Sequence, residues 1–199
     1  MIRVRIFIDF WNFQLTLNGK NQGPFYPDWR ILGPWLSTNA CLVANVVDWT
    51  LEGVHVYSSY DPASEQDAKH HKWATSWLAI QPGYHVSCVP RKPKSLPRCS
   101  FCHQEIAICP NCHQRMKNTV EKGVDASIAT DLIRFAWDNA YDIAVLVTLD
   151  ADLIPAVEFL AKRGRKIIHA GSPPMGAALS RACWGVFNVF NEREHYRRK

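Results

Sequence analysis

Four cysteines in the middle of the chain have a spacing that is typical of metal sites. Two residues separate Cys99 from Cys102, six residues follow, and two more separate Cys109 from Cys112. Two Cys-x-x-Cys turns make two tight thiolate pairs, which together can close a tetrahedral site around zinc. Because four thiolates leave no open coordination position, we predict one structural Zn²⁺ ion rather than a catalytic one.

A second set of candidate ligands consists of aspartates that follow predicted strands. Asp9 comes directly after the strand pattern at 2–8, and Asp150 and Asp152 follow the apolar run Ile143–Thr148. If these two strands are neighbours, the carboxylates meet at one edge of the sheet, outside the carboxyl ends of the strands. Clustered carboxylates repel one another unless a cation neutralises them. Oxygen ligands select hard cations, so we expect Mg²⁺ or Mn²⁺ at this edge.

A fourth aspartate is predicted on a helix that faces the same edge. Asp125 lies three residues before Ile128, on the apolar stripe of that helix and in its first turn. Asp131 is assigned to the outer face, where it can pair with Arg134, and we expect it to be mostly solvated. Divalent ions held by such carboxylates can bind a phosphodiester and activate a water molecule. The alternative is that each aspartate only caps a helix.

Strand and helix patterns alternate along the chain. The patterns predict strands near residues 2–8, 54–60, 84–89, 143–148, 166–169 and 186–190. They predict helices near 28–47, 63–80, 123–139 and 152–163, and a short helix before the last strand. The polar tail at 193–199 is expected to fray. This alternation predicts an α/β, Rossmann-like parallel sheet flanked by helices, in a single domain over residues 1–199.

Residues 91–122 form a basic insert between the third predicted strand and the next helix. The insert contains seven basic and two acidic residues, a surplus equal to the net charge of +5 of the whole chain. This concentration of charge suggests an anionic polymer as partner, although a solubilising surface loop has the same composition. The residues that we expect to contact such a polymer are Arg91, Lys92, Lys94 and Lys122.

The composition also bears on the cellular compartment. No apolar run in the 199 residues is long enough to span a membrane. The first residues alternate Ile and Val with arginine and reach Asp9, so no signal peptide is predicted. We therefore expect a cytoplasmic protein, in which the seven cysteines bind metal or stay reduced rather than form disulfides.

Three segments resemble the motifs of a known family, the NYN nucleases of the PIN-like superfamily, and most closely its LabA-like group. Residues 8–13, Ile-Asp-Phe-Trp-Asn-Phe, resemble the opening Asp-x-x-Asn motif. Residues 121–125, Glu-Lys-Gly-Val-Asp, are similar to the second motif, and residues 144–152, ending in Asp-Ala-Asp, to the third. The resemblance covers almost the whole chain except the cysteine-bearing insert. This chain differs from the family pattern in the third motif, where Leu149 replaces a glycine, and near Cys183, where a late acidic motif of the family is replaced.

The resemblance implies a metal-dependent ribonuclease whose metal ligands are aspartates. That role passes to the four residues already selected, Asp9, Asp125, Asp150 and Asp152. Asn12 is expected to position a ligand water or a substrate phosphate, and Thr148 to support the site and its substrate. Trp11 follows Asp9 and could stack on a base of the RNA, although most tryptophans belong to the core.

The most favoured function is therefore a metal-dependent endoribonuclease that acts on RNA. A Toprim-like nuclease is a weaker alternative, because that fold has Glu after its first strand where this chain has Asp9. The alternative from another class is a catalytically silent module of the same fold, which binds RNA or protein through the basic insert.

Overall fold

The computed structural model describes residues 1–116 and 119–199. In chain order the strands are β1 (Ile2–Asp9), β2 (Trp49–Tyr60), β3 (Tyr84–Pro90), β4 (Lys92–Pro93), β5 (Thr119–Val120), β6 (Ile143–Val147), β7 (Lys166–Gly171) and β8 (Gly185–Asn188). The α-helices are α1 (Phe10–Lys20), α2 (Trp29–Val43), α3 (Glu65–Trp73), α4 (Val124–Trp137), α5 (Ile154–Ala161) and α6 (Ala177–Ala182).

Six strands form one parallel sheet in the order β3-β2-β1-β6-β7-β8. The predicted α/β class with a parallel sheet flanked by helices is confirmed. The strands β1 and β6 are neighbours at the centre of the sheet, and Ile8 lies opposite Val147 in their register. Asp9, the last residue of β1, and Thr148, the residue after β6, therefore lie at the carboxyl edge of neighbouring strands.

Helices cover both faces of the sheet. Alternate residues of each central strand point to opposite faces, and because both sets are apolar, each face packs against helices. From β1, Ile6 and Ile8 are fully buried and pack with residues of α1 and α2. Phe7 points the other way and packs with residues of α4 and α5, among them Ile128 and Val157. Each face thus has its own apolar core, and together they hold the central strand ends rigidly in place.

The segment between β3 and α4 begins and ends with a short antiparallel ladder. Lys92 of β4 pairs with Val120 of β5, and Pro93 pairs with Thr119. This ladder brings the two ends of the cysteine-bearing insert together. One basic residue of the predicted insert, Lys117, lies outside the described residues.

The helical pattern predicted for 63–80 is divided into two types of helix. The α-helix α3 ends at Trp73 and continues as a π-helical turn over Ala74–Leu78. The helix predicted at 152–163 likewise begins with a 3₁₀ turn, Ala151–Leu153, before α5. In the part of the chain that the structure describes, no helix combines the length and the apolarity that crossing a bilayer requires.

The prediction that the polar tail frays is wrong. Tyr196 is fully buried, and its hydroxyl donates a hydrogen bond of 2.7 Å to the backbone carbonyl of Val189. Its ring packs against those of Phe25 and Trp35. Burial of this one aromatic side chain in the core orders the C-terminal segment, even though the neighbouring residues are polar.

Candidate metal centre at the carboxyl edge of the sheet

Asp9 lies at the centre of the candidate site, where β1 ends and α1 begins. The residue is 5% exposed. One carboxylate oxygen accepts a hydrogen bond of 3.1 Å from the backbone N–H of Asn12, and the other accepts one of 3.4 Å from the hydroxyl of Thr148. The pKa of Asp9 is raised to about 6, mainly by burial and also by the charges of Glu121 and Asp125, while the hydrogen bonds from Asn12 and Thr148 lower it. Other carboxylates are therefore close enough to oppose its ionisation.

The loop after β6 carries Asp150 and Asp152 at the same edge. The carboxylate of Asp150 accepts a hydrogen bond of 2.8 Å from the backbone N–H of Asp152 and so caps the 3₁₀ turn. The backbone N–H of Asp150 donates one of 3.2 Å to the hydroxyl of Thr148. Asp150 is half-buried and Asp152 is exposed. These two carboxylates form the solvent side of the site, and Asp9 forms its floor.

Asp125 approaches from a third segment, the first turn of α4. The helix starts after Gly123, whose φ of +91° suits glycine and turns the incoming chain toward the sheet edge. Partial burial raises the pKa of Asp125, and the neighbouring charges of Asp150, Glu121 and Asp152 raise it in the same direction. Asp125 therefore lies near enough to Asp150 and Asp152 for their charges to act on it.

Asn12 links the two halves of the site. Its side-chain oxygen accepts a hydrogen bond of 2.9 Å from the backbone N–H of Leu149. This bond joins the first turn of α1 to the loop after β6, and it requires only the backbone of residue 149. The Leu149 side chain packs with the core on the α1 side and lies close to Gly176. Leucine in place of the family glycine is therefore accommodated without loss of this link.

Thr148 lies beneath the carboxylates and is 2% exposed. Its hydroxyl contacts Asp9 and Asp150, and its backbone carbonyl accepts a hydrogen bond from the ring of the fully buried His169, at 2.6 Å. The other ring nitrogen of His169 is 2.8 Å from the hydroxyl of Ser180. This chain of contacts orients the carboxylates from below, so Thr148 has the position of a supporting residue rather than of a substrate contact.

Glu121 is a fifth carboxylate at this edge, which the residue-by-residue selection missed. The hydroxyl of Ser59, near the end of β2, donates a hydrogen bond to it. Its charge contributes to the raised pKa of both Asp9 and Asp125. The available signal was its position as the first residue of the second family-like motif, four residues before Asp125.

Trp11 and Arg91 form one packed unit beside the carboxylates. The indole N–H of Trp11 donates a hydrogen bond of 2.6 Å to the backbone carbonyl of Ser59. The guanidinium of Arg91 lies over the Trp11 ring at 5.6 Å, donates to the Ser59 hydroxyl at 3.1 Å, and pairs with Asp67 at 3.7 Å. The Arg91 side chain is only 19% exposed. Arg91 is thus anchored in the body of the protein, whereas Lys92, Lys94 and Lys122 are exposed.

The expectation that Asp131 is mostly solvated is wrong. Its carboxylate accepts a hydrogen bond of 2.7 Å from the hydroxyl of Tyr57, and its side chain is 26% exposed. The predicted pairing with Arg134 is present, at 2.9 Å. Asp131 follows the buried Val124 by seven residues, about two helical turns, so it returns to the side of α4 that faces β2.

The two cysteine pairs adopt the same local structure. The thiol of Cys99 accepts hydrogen bonds from the backbone N–H groups of Cys102 and Phe101, which lower its pKa, and the Cys109 thiol has the equivalent partners in its own turn. Each turn is closed by a histidine in the left-handed region, His103 with φ +58° and His113 with φ +55°. N–H groups aimed at sulfur favour the thiolate, the form that binds metal.

Comparison with known proteins assigns the family. The family model for the NYN domain matches residues 3–189. The chain belongs to the NYN family. The structure is also similar to the crystal structure of a protein of unknown function from Vibrio parahaemolyticus, with a TM-score of 0.59 and 17% identity, over 99% of this chain and 96% of that one. No curated protein matches the chain. At this identity the structural likeness shows the fold alone.

NYN domains are typically nucleases that use divalent metal ions. The residues at the carboxyl edge of this NYN domain suit such an ion. Its donors are all oxygens, and their mutual repulsion favours a bound cation. Within residues 1–116 and 119–199, no three His, Cys, Asp or Glu side chains form a group that could hold a metal ion. Mg²⁺ usually keeps several waters and binds through one or two carboxylates, so the donor set fits a hydrated Mg²⁺ or Mn²⁺ ion.

The same observation bears on the predicted zinc site. Each cysteine pair forms its own turn, but the four sulfurs do not form one group in the described structure. The four-thiolate zinc site therefore stays a prediction.

Proposed function

We propose that this NYN domain is a metal-dependent endoribonuclease that hydrolyses phosphodiester bonds of RNA at the carboxyl edge of its sheet. The observation that carries the proposal is the convergence of carboxylates from three separate segments: the end of β1, the loop after β6 and the first turn of α4. Independent helix caps would have no reason to raise the pKa of a neighbouring carboxylate, as Asp125 does for Asp9 and as Asp150 and Asp152 do for Asp125.

Asp9, Asp125, Asp150 and Asp152 are the residues that would hold Mg²⁺ or Mn²⁺. When bound, the ion would supply charge to hold the phosphodiester, activate water and stabilise the leaving oxygen. The buried Asp9 anchors the site from below, while the more exposed Asp150 and Asp152 bound the side from which RNA arrives. Asn12 uses its side-chain oxygen for Leu149, so its NH₂ group is the part that can donate to a phosphate oxygen or a water.

The basic insert is proposed to guide RNA toward this edge. Lys122 lies three residues before Asp125 in the chain, and Glu121 beside it is tied to β2 through Ser59. The insert therefore enters the body of the protein directly at the carboxylates. We also infer from the spacing of the two Cys-x-x-Cys turns that the four cysteines bind one structural Zn²⁺ ion, which would fix the shape of the insert.

The test is cleavage by the full chain of end-labelled single-stranded RNA, duplex RNA and single-stranded DNA in Mn²⁺, in Mg²⁺ and in EDTA. The proposal expects internal cleavage of RNA in at least one metal and none in EDTA, since chelation removes the ion that the carboxylates hold. RNA binding that persists in EDTA without cleavage in either metal would instead identify a silent binding module. Cleavage that is unaffected by chelation would contradict the metal assignment.

A further inference from the structure

An aromatic cleft opens beside the carboxylate site, on the face of the sheet covered by α1 and α3. Its cavity measures about 500 Å³, within the range of small-ligand sites. Its floor is formed by the buried rings of Phe10 and Trp29, which stack at 5.9 Å with 19° between their planes. The floor therefore consists of side chains that are packed in the core rather than of mobile surface groups.

The walls of the cleft present aromatic faces to solvent. Trp73 and Trp77 stack at 6.0 Å with 20° between their planes, because they are one helical turn apart where α3 passes into its π-helical turn. Trp77 is 36% exposed and Tyr26, on the same cleft, is 66% exposed. π-Helical turns often occur at functional sites. Exposed rings beside a rigid aromatic floor suit a ligand with a flat π-system.

The charge around the cleft favours an anionic ligand. Lys69 and Arg198 line it together with neutral polar residues such as Gln66, and no Asp or Glu is among the described residues that line it. A flat ring that carries a phosphate matches both the aromatic walls and the two cations. A nucleotide has this combination, whereas an apolar peptide or lipid would match only the rings.

The cleft adjoins the segment that carries Asp9. Phe10 and Trp11 line the cleft and directly follow Asp9 in the chain. Trp11 lies against the ring of His70, another lining residue, at 4.8 Å, and it is fixed on its other side by the Ser59 carbonyl. A nucleic-acid strand with one phosphate at the carboxylates would thus have a neighbouring base within reach of the cleft.

We propose that this cleft is a base-binding subsite, which stacks an unpaired nucleobase between its aromatic walls while Lys69 and Arg198 contact the adjoining phosphate. The proposal deepens the nuclease proposal above and rests on it for the path of the strand. A base inside a duplex is already stacked on its neighbours, so the cleft selects a nucleotide that is unpaired.

The experiment measures binding of a fluorescein-labelled single-stranded RNA decamer to the full chain without added Mg²⁺ or Mn²⁺, so that metal-dependent cleavage does not occur and the proposed structural Zn²⁺ is retained. Trp77→Ala should weaken binding about 5- to 100-fold, the effect of removing one base–aromatic stack. Trp137→Ala is the matched control, because Trp137 is 83% exposed at the end of α4 on the other face of the sheet. It should bind as the parent does. Lys69→Ala should reduce the salt slope by about one unit.

A second set of oligonucleotides separates stacking from a structural effect. A decamer with abasic sugars should bind the parent as weakly as the intact decamer binds Trp77→Ala, and the two changes should not add, since both remove the same contact. Additive losses, or equal affinity of Trp77→Ala and the parent for the intact RNA, would overturn the subsite. A Trp77-dependent dimer in sedimentation, with RNA affinity unchanged, would assign the cleft to a second copy of the chain and overturn it as well.

The nuclease proposal and the subsite can fail separately. In one outcome the parent does not cleave RNA in Mn²⁺, while the affinity losses from Trp77→Ala and from the abasic RNA remain non-additive. That result supports the subsite and rejects the catalytic function. If the parent cleaves RNA and Trp77→Ala binds it normally, the subsite is rejected and the nuclease is not.

Discussion

The hydroxyl of Ser59 donates a hydrogen bond to the carboxylate of Glu121, and this contact joins the end of β2 to the segment that leads into α4. Ser59 also accepts a hydrogen bond from Arg91, so Glu121 is held at the edge through a fully buried serine. Glu121 thereby becomes a fixed member of the carboxylate group, and its charge acts on Asp9 and Asp125.

Glu121→Gln should therefore weaken metal binding, so that cleavage needs more Mn²⁺, without unfolding the protein. The glutamine can still accept the Ser59 hydrogen bond but lacks the charge that favours a cation. We expect the Mn²⁺ concentration for half-maximal cleavage to rise about 10-fold or more, the scale of losses at residues that support metal ligands. Glu158→Gln, an exposed change on α5, serves as the control. An unchanged Mn²⁺ titration for Glu121→Gln would exclude Glu121 from the site.

Asp150→Asn should abolish cleavage. Asparagine keeps the side-chain oxygen that caps the 3₁₀ turn, so the fold and the zinc content should be retained. What is lost is the negative charge that binds the cation. Asp138→Asn is the matched control, because Asp138 is exposed at the far end of α4. The measurement is single-turnover RNA cleavage alongside thermal unfolding; a folded Asp150→Asn protein that cleaves like the parent would disprove the site.

Lys92→Ala and Lys94→Ala should weaken RNA binding in a salt-dependent way. Each exposed lysine that contacts a phosphate releases counterions, so its loss should reduce the slope of log affinity against log salt by about one unit. Lys162→Ala, at the end of α5, is expected to leave the slope unchanged. Arg91 is left out because its guanidinium is anchored by Asp67 and Ser59, and its loss would disturb the fold. Equal slopes for all variants would show that the insert faces away from RNA.

Cys109→Ser should remove zinc from the protein. Metal analysis of protein purified without chelators is expected to find about one zinc per chain, which a four-thiolate site requires. The serine variant should lose that metal and become more sensitive to proteolysis within the insert. Cys88→Ser is the control, since Cys88 lies outside the two turns on β3. Parent protein that contains no stoichiometric zinc would refute the prediction.

Tyr196→Ala should destabilise the whole protein. Removing a fully buried aromatic side chain costs about 3–5 kcal/mol of unfolding free energy. Tyr196→Phe keeps the ring but leaves the Val189 carbonyl without this donor, for a loss of about 1 kcal/mol. Tyr26→Ala, at an exposed tyrosine, should change the unfolding free energy by less than about 0.5 kcal/mol. Urea unfolding measures all three, and a Tyr196→Ala protein as stable as the parent would show that the C-terminal segment does not contribute to the core.

Much of the candidate site could be predicted from local patterns. Helical periodicity predicted Asp125 on the face of α4 that approaches the sheet edge, and in the structure the charges of Asp150 and Asp152 act on it. The same reasoning failed for Asp131, because only the position of β2 beside α4 shows that Tyr57 is there to bind it. A side chain near the border of an apolar stripe can face either solvent or a neighbouring element, and periodicity does not separate the two.

Sequence reasoning alone predicts the α/β class, the four candidate aspartates and the two cysteine turns. Each of these depends on residue type and short spacing, which local backbone geometry converts directly into structure. The tertiary structure alone decided that β1 and β6 are neighbours, that Glu121 joins the carboxylates, and that Arg91 is anchored rather than free. It also decided that rings from α1, α2 and α3 enclose a cleft beside the site. These contacts join residues that are far apart in the chain. They form only when the whole chain packs its apolar surface away from water, which local patterns do not specify.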